Sequence, residues 1–191
     1  MKTMISTVAV LAALSTATIA NAADADLATL KAEAAKVTMS FGGPLKKTLG
    51  AAMKDGGPVA AIGACNEKAP GIAKAAADAS GWSVGRTSLK LRNTDNAADA
   101  WEMSAMKEFE ARRASGEKPD TISKAEIVDM DGQKTFRFMK AIGTAPVCLN
   151  CHGAEIKPEV AAKLDSLYPH DTARGFKAGD IRGVFTLSKK L

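Results

Sequence analysis

The chain has 191 residues, which is enough for one domain with a single hydrophobic core. Its formal net charge at neutral pH is +5, of which Lys2 contributes one unit, and this modest balance indicates neither nucleic acid nor a strongly acidic protein as a partner. The chain has 3 cysteines, which cannot all pair with one another, so the composition also excludes a disulfide-stabilised scaffold.

The first 22 residues have the pattern of a secretory signal peptide. Lys2 precedes an uncharged apolar run from Met4 to Ala20, and the run ends in a small-x-small cleavage site, Ala20-Asn21-Ala22. An uncleaved membrane anchor is the alternative, but the run is short for a span of about 20 residues and hydroxyl side chains weaken it. We therefore expect a signal peptide over residues 1–22, one mature domain over residues 23–191 without a membrane segment, and a periplasmic location.

Alanine-rich helices are predicted to follow the signal peptide. Apolar residues recur at helical spacing over residues 24–53, with an interruption expected at Gly42-Gly43-Pro44. A second helix is predicted over residues 58–66, and a third is predicted to open at Pro70. Cys65 would then lie near a helix end, where the unpaired N–H groups of the third helix would favour its thiolate form.

The middle and the end of the chain combine strands with helices. Extended structure is predicted over residues 82–91, and an amphipathic helix over residues 96–115. After a hairpin and a cysteine motif, a helix over residues 158–167 and a strand over residues 183–188 complete the order. Helices and strands segregated in this way predict an α+β domain with an antiparallel sheet.

The predicted hairpin joins residues 122–130 to residues 133–142. The dipeptide between them, Asp131-Gly132, is one that a type I′ turn prefers. In the second strand Phe136, Phe138 and Ile142 alternate with Arg137, Met139 and Ala141. One face is therefore more apolar, and we expect it to pack on helices or on a cofactor.

The most specific motif is Cys148-Leu149-Asn150-Cys151-His152. Two cysteines at this spacing, followed at once by histidine, are typical of covalent haem attachment. Each cysteine can form a thioether to a haem vinyl group while the histidine ligates the iron. The motif predicts one covalent haem c held by Cys148 and Cys151 with His152 as proximal ligand. The alternatives are structural zinc, with Cys65 as a further ligand, or a Cys148–Cys151 redox disulfide.

The residues alone leave the opposite face of the iron undecided. Cys65 is a candidate because a free thiol is unusual in an exported chain, although an isolated cysteine is more often a small buried hydrophobe. His170 is the only other histidine, but its Tyr-Pro-His-Asp loop is typical of the surface. An open site is a further alternative. Methionines at plausible core positions are also candidates; they include Met103, Met106, Met130 and Met139.

A family resemblance is carried by motifs spread over nearly all of the mature chain. These motifs are Ala64-Cys65-Asn66 with Ala69-Pro70, the run from Gly81 to Leu89, Arg92-Asn93 with Asn96, Trp101-Glu102, the run from Cys148 to Gly153, and Tyr168-Pro169 with Asp171, Ala173, Gly175, Gly179 and Gly183. The chain resembles the exported haem-c-binding domains with a PAS-like fold, which occur alone or as the sensor part of bacterial histidine kinases. The resemblance implies one haem c on a five-stranded type of antiparallel sheet with flanking helices. It also implies iron ligation by His152 and by the sulfur of Cys65.

Two arginines are candidate haem contacts. Arg86 and Arg92 have the guanidinium geometry that pairs with carboxylates such as haem propionates. The alternative is that they are solvated or form salt bridges to Glu102. Asn93 and Asn96 are predicted to shape the turn before the following helix, because asparagine side chains cap helices.

These observations predict a low-potential haem protein that is not an enzyme. A thiolate ligand favours ferric iron, which suits electron transfer with a redox partner protein, or redox sensing in which a small gas binds after Cys65 is released. Electron transfer ranks slightly above sensing. The alternative is a small peroxidase-like enzyme with an open distal site, but it would need acid and base groups that the sequence does not display.

Overall fold

A long N-terminal helix, a four-stranded antiparallel sheet and shorter helices make up the fold. The computed structural model describes the backbone of residues 16–191 and the side chains of residues 26–191, so that residues 1–15 of the predicted signal peptide lie outside the described part. The elements are α1 (Thr16–Ser80), β1 (Ser83–Thr87), α2 (Ala100–Ala114), β2 (Ser123–Met130), β3 (Gln133–Gly143), α3 (Leu149–His152), α4 (Pro158–Leu167) and β4 (Ile181–Lys190). Within the described residues, no helix is both long and apolar enough to cross a membrane.

Helix α1 is broken once, at Gly56-Gly57, into an N-terminal arm (residues 16–55) and a C-terminal arm (residues 58–80). Gly57 has a φ of 68°, which glycine adopts without strain, and Pro58 follows as the first residue of the C-terminal arm. The predicted interruption at residues 42–44 is wrong. Burial of Phe41 holds the N-terminal arm on the sheet, and this packing outweighs the N–H group that Pro44 lacks.

The prediction that Pro70 opens a helix is also wrong. Pro58 takes that role, and the C-terminal arm continues through Pro70 to Ser80. Cys65 therefore lies inside a helix, where the N–H groups are already paired, and a helix N-terminus contributes nothing to its thiolate. The arm ends at Gly81, which has a φ of 72° and donates its N–H to Ala77 O at 2.8 Å.

The sheet has the strand order β1-β4-β3-β2, and every neighbouring pair is antiparallel. The hairpin prediction is confirmed, because Asp131 (φ 55°) and Gly132 (φ 81°) both adopt the positive φ of a type I′ turn between β2 and β3. The described chain has four strands where the family resemblance implied a five-stranded type. The segments between these strands form helices, turns and loops instead.

Strand β3 is buried on both faces, and the face predicted to be the more apolar packs on a helix, as the sequence indicated. Phe136 and Phe138 pack with Trp82 and the N-terminal arm of α1. On the opposite face, Met139 packs with Phe109 and its neighbours in α2. Helix α1 covers one face of the sheet at this strand and helix α2 covers the other. Each helix therefore shields from water the side chains that point to its face.

Helix α2 begins at Asp99 in a reciprocal capping box. The Asp99 side chain accepts the N–H of Glu102, and the Glu102 side chain accepts the N–H of Asp99. The predicted capping role of asparagine is seen at Asn93, whose side chain accepts the N–H of Asp95 at the short 3-10 turn Thr94–Asn96. That turn connects β1 to α2.

A third apolar cluster places the C-terminal arm of α1 against the cysteine motif. Ile62 packs with Val160 and Leu164 of α4, and the partly buried side chains of Cys151 and Tyr168 pack against them. Cys65, which lies one turn beyond Ile62 on the same arm, is thereby brought to the region of the motif.

Candidate functional site

The site is assembled from segments far apart in sequence. The C-terminal arm of α1 supplies Cys65, β1 and the segment after it supply Arg86 and Arg92, and the motif itself runs from a 3-10 turn (Pro146–Cys148) into α3. The loop before β4, residues 168–180, lies against Arg92 and His152. The structure thus brings together all six residues that the sequence predicted for cofactor binding: Cys65, Arg86, Arg92, Cys148, Cys151 and His152.

The cysteine motif is wound into little more than one helical turn. All three cysteines of the chain are free thiols and partly buried, so the alternative of a Cys148–Cys151 disulfide has no support in this structure. Gly153 ends α3 and donates its N–H to Leu149 O at 3.0 Å. A Cβ atom at Gly153 would lie 2.7 Å from Leu149 O, so the turn that presents His152 requires glycine there.

His152 is held as a neutral imidazole. Burial, together with the positive charges of Arg182 and Arg92, lowers the pKa of His152 to about 3. Its Nδ1 lies 2.8 Å from the carbonyl oxygen of Ala173, and an acceptor there requires the proton to be on Nδ1. The lone pair is then on Nε2, which faces Arg182 Nε at 3.2 Å and Arg92 at 3.4 Å in the haem-free chain.

Cys65 lies within electrostatic range of both the motif and the arginines. Burial raises the pKa of the Cys65 thiol, and the positive charges of Arg86 and Arg92 oppose that rise. Burial also raises the pKa of Cys151, and Cys65 adds to the increase because two thiolates would repel each other. The two thiols therefore share one environment, in which nearby cations favour the charged form of sulfur.

Arg92 contacts the cysteine motif on one side and Asp171, in the loop before β4, on the other. Its guanidinium lies 3.2 Å from Asp171 Oδ2, donates to the carbonyl of Cys151, and reaches within 3.4 Å of His152 Nε2. The alternative of a salt bridge to Glu102 is wrong, because Glu102 pairs with Arg137 at 3.3 Å. The Nε atom of Arg92 is buried and has no hydrogen-bond partner.

Arg182, which no local sequence pattern indicates, joins Arg86 and Arg92 to form a cluster of three arginines. Its Nε lies 3.0 Å from His152 Nδ1 and 3.2 Å from His152 Nε2, and its guanidinium lies 5.4 Å from the centre of the Phe176 ring. Burial and repulsion by Arg92 and Arg86 lower the pKa of Arg182 to about 10. A single arginine near the start of the last strand carries no local signal, because only tertiary contacts place it beside the motif.

The other candidate ligands lie elsewhere. His170 is exposed. Met106 and Met139 are in the core between α2 and the sheet, whereas Met103 and Met130 are exposed. Among residues 26–191, no group of three or more histidine, cysteine or acidic side chains is arranged to hold a metal ion, so the zinc alternative gains no support.

The chemistry of these residues fits a covalently attached haem. The motif offers two thiols and a neutral histidine, Cys65 offers a further sulfur, and three arginines surround them with only Asp171 as a carboxylate partner within the cluster. The excess positive charge and the unpartnered Arg92 Nε suit a ligand that carries carboxylates.

Comparison with known proteins identifies the family of the chain. The model of the family described as Tll0287-like matches residues 6–189. No curated protein matches the chain. Among solved structures, the crystal structure of the cyanobacterial heme-protein Tll0287 aligns with a TM-score of 0.60 and 23% sequence identity, over 86% of this chain and 94% of that chain. Identity at that level shows a shared fold, while the family model covers almost the whole sequence. The chain belongs to the Tll0287-like family.

Proposed function

We propose that the chain is an exported c-type haem protein with a single covalent haem and no enzymatic activity. Cys148 and Cys151 would hold the haem through thioethers, and His152 and Cys65 would ligate its iron. The observation that carries the proposal is that Arg92 and Arg182 contact His152, while Cys65 and Cys151 lie within electrostatic range of Arg92 and of each other. The name of the matched structure, a heme-protein, supports it.

Each residue of the cluster has a defined part in this proposal. Haem, when bound, supplies an iron that gains and loses one electron. His152 presents Nε2, and the hydrogen bond from its Nδ1 to Ala173 O increases the basicity of the ring. Arg86 and Arg92 offset part of the cost of a buried Cys65 thiolate. A thiolate ligand favours ferric iron, so we expect a low reduction potential.

Arg182 and Arg86 are the proposed partners of the haem propionates. Arg92 is already bonded to Asp171 and to the carbonyl of Cys151, whereas Arg182 is bonded to groups that are not carboxylates: His152, Ser88 Oγ and Lys90 O. A guanidinium without a carboxylate partner is the better candidate for an incoming one.

Electron transfer to a partner protein in the periplasm is the proposed use of this site. The four-stranded antiparallel sheet flanked by helices is compatible with the PAS-like fold inferred from the sequence, and redox or gas sensing remains the second use in our proposal. In sensing, reduction would weaken the Cys65 bond, and a small gas would take its position on the iron.

The proposal is tested by absorption and electron paramagnetic resonance spectra of protein made with a c-type maturation system. We expect haem that stays attached after denaturation and a low-spin ferric thiolate signal. Cys65→Ser should keep the haem but lose that signal and raise the potential, because the anionic sulfur is gone. His170→Ala is the matched control, since His170 is exposed and lies outside the cluster, and it should leave the spectrum unchanged.

Two results would contradict parts of the proposal. A Cys65→Ser spectrum identical to that of the wild type would remove Cys65 from the iron. A high-spin ferric spectrum of the wild type would favour the alternative of an open, peroxidase-like site.

A further inference from the structure

The loop from Asp171 to Phe176 forms hydrogen bonds to both the ring and the backbone of His152. The carbonyl of Ala173 lies 2.8 Å from His152 Nδ1, and the N–H of Phe176 donates to the carbonyl of His152 at 2.9 Å. Next to them the N–H of Gly175 donates to the carbonyl of Gly153 at 3.0 Å. The edge of the His152 ring also meets the Phe176 ring, with 6.1 Å between ring centres. The loop, together with Arg182, whose Nε lies 3.0 Å from Nδ1 and 3.2 Å from Nε2, therefore sets the orientation of this imidazole.

Asp171 in turn fixes the shape of the loop. Its side chain is 1% exposed, and Oδ1 accepts the N–H of Ala173 at 2.8 Å, as in an Asx turn. The N–H of Arg174 donates to Thr172 O at 2.9 Å. These bonds fix both peptide groups that flank Ala173, and the carbonyl that faces His152 belongs to the second of them.

Arg92 links Asp171 to the motif through hydrogen bonds. Asp171 Oδ2 accepts from Arg92 at 3.2 Å and from Arg174 at 3.1 Å. The same nitrogen of Arg92 also donates to the carbonyl of Cys151, and it lies 3.3 Å from Ala173 O. The partly buried Arg92–Asp171 ion pair thus joins the peptide before His152 to the peptide whose carbonyl accepts the hydrogen bond from His152 Nδ1.

We propose that Asp171, acting through Arg92 and the Ala173 carbonyl, is a positioning residue that sets the tautomer and the orientation of His152. Without Asp171, the Ala173 peptide loses one of its anchors and Arg92 loses its carboxylate partner. The Nδ1–H tautomer then has no fixed acceptor. The effect at the iron rests on the proposed function, whereas the tautomer is a property of the chain itself.

The first test reads the tautomer in the haem-free full chain, made without a maturation system, kept reduced and labelled with ¹⁵N-histidine. The sequence has 2 histidines, so the exposed His170 is an internal reference. We expect wild-type His152 to be protonated at Nδ1. In Asp171→Ala the ratio of the Nδ1–H to the Nε2–H form should fall about tenfold, the worth of one hydrogen bond. Asp171→Asn retains an oxygen for the Ala173 N–H but lacks the charge that Arg92 needs, and it should give an intermediate ratio.

Asp180→Asn is the matched control. Asp180 lies in the same loop region, its Oδ2 accepts the N–H of Lys177 at 2.7 Å, and it pairs with Arg113 at 3.5 Å, but it makes no bond to His152. It should leave the tautomer of His152 unchanged. Near-ultraviolet circular dichroism of the tryptophans reports folding, and if Asp171→Ala does not fold, Asp171→Asn decides the test.

The second test uses the haem-loaded protein. Asp171→Ala should raise the reduction potential and broaden the ferric resonance, because His152 becomes a weaker donor held in more than one orientation. Three results would overturn the proposal: a wild-type His152 protonated at Nε2, a folded Asp171→Ala variant with the wild-type tautomer ratio, or an equal change in Asp180→Asn. If the chain takes up no haem but Asp171→Ala still shifts the tautomer, the proposed function fails and the positioning role stands.

Discussion

Two arginines, the buried Arg137 and the partly buried Arg92, use the same ion-pair chemistry in different ways. Arg137 lies between β3 and the start of α2, where it pairs with Asp99 at 2.7 Å and Glu102 at 3.3 Å and lies 4.3 Å from the centre of the Trp101 ring. Acidic side chains there outnumber the cation. In the region of Arg92, by contrast, the cations outnumber the carboxylate.

The difference in charge balance distinguishes a structural cluster from the proposed binding cluster. Around Arg137 the carboxylates belong to the capping box of α2, so the charges fasten a helix to the sheet. Around Arg92 the neighbours are Arg86 and Arg182, two thiols and a neutral histidine. Surplus cations in a partly buried site favour an anion from outside the chain, which a structural cluster does not need.

Replacing Arg137 should give the largest loss of stability. Arg137→Met leaves Glu102 buried without its cation, and breaking a buried pair in this way costs about 3–5 kcal/mol of unfolding free energy. Urea denaturation followed by circular dichroism measures the loss. The ferric spectrum of the surviving folded protein should equal that of the wild type, since Arg137 does not touch the motif. A changed spectrum would break the distinction between the two clusters.

Acid should weaken the haem-free chain through His152. In the folded chain the pKa of His152 is about 3, against 6.5 for the free side chain, so the unfolded chain binds a proton that the folded chain rejects. Stability is complete above pH 6.5 and is lost as the pH falls toward 3. The unfolding free energy at about pH 5 should be roughly 2 kcal/mol below that at pH 8.

His152→Gln is the control for this pH dependence, because glutamine does not titrate. The variant should lose most of the decrease between pH 8 and pH 5, which urea denaturation at each pH measures. An equal decrease in both proteins would show that some other group causes it.

Replacing Arg182 should give the smallest change in stability. Arg182→Met removes a cation that Arg92 and Arg86 repel, so the unfolding free energy of the haem-free chain should change by less than about 1 kcal/mol. In the haem-loaded protein the reduction potential should fall, because a positive charge next to the site is lost. Arg112→Gln is the control, because Arg112 pairs with Glu117 at 2.7 Å and makes no bond to the motif. A loss as large as that of Arg137→Met would make both clusters structural.

The sequence predicted those parts of the site that depend on local spacing. Cys148, Cys151 and His152 are adjacent in the chain, and Asp131-Gly132 carries its turn preference in two residues. It failed where packing overrides local preference, as at Pro70, which continues a helix because Gly57 and Pro58 have already provided the start. Arg182 could not be predicted at all, since its relation to His152 exists only after β4 has joined the sheet.

The Gly56-Gly57 break has a consequence for how the two ends of the proposed ligand set are joined. Because of this break, the N-terminal arm of α1 packs on the sheet, while the C-terminal arm places Cys65 near the motif. A bond from Cys65 to an iron anchored at Cys148 would enclose β1, α2 and the β2–β3 hairpin in a covalent ring. By analogy with a disulfide that closes a loop of similar length, such a ring removes about 4–5 kcal/mol of chain entropy from the unfolded state. The cofactor would then also be a cross-link, and its loss would loosen the whole domain.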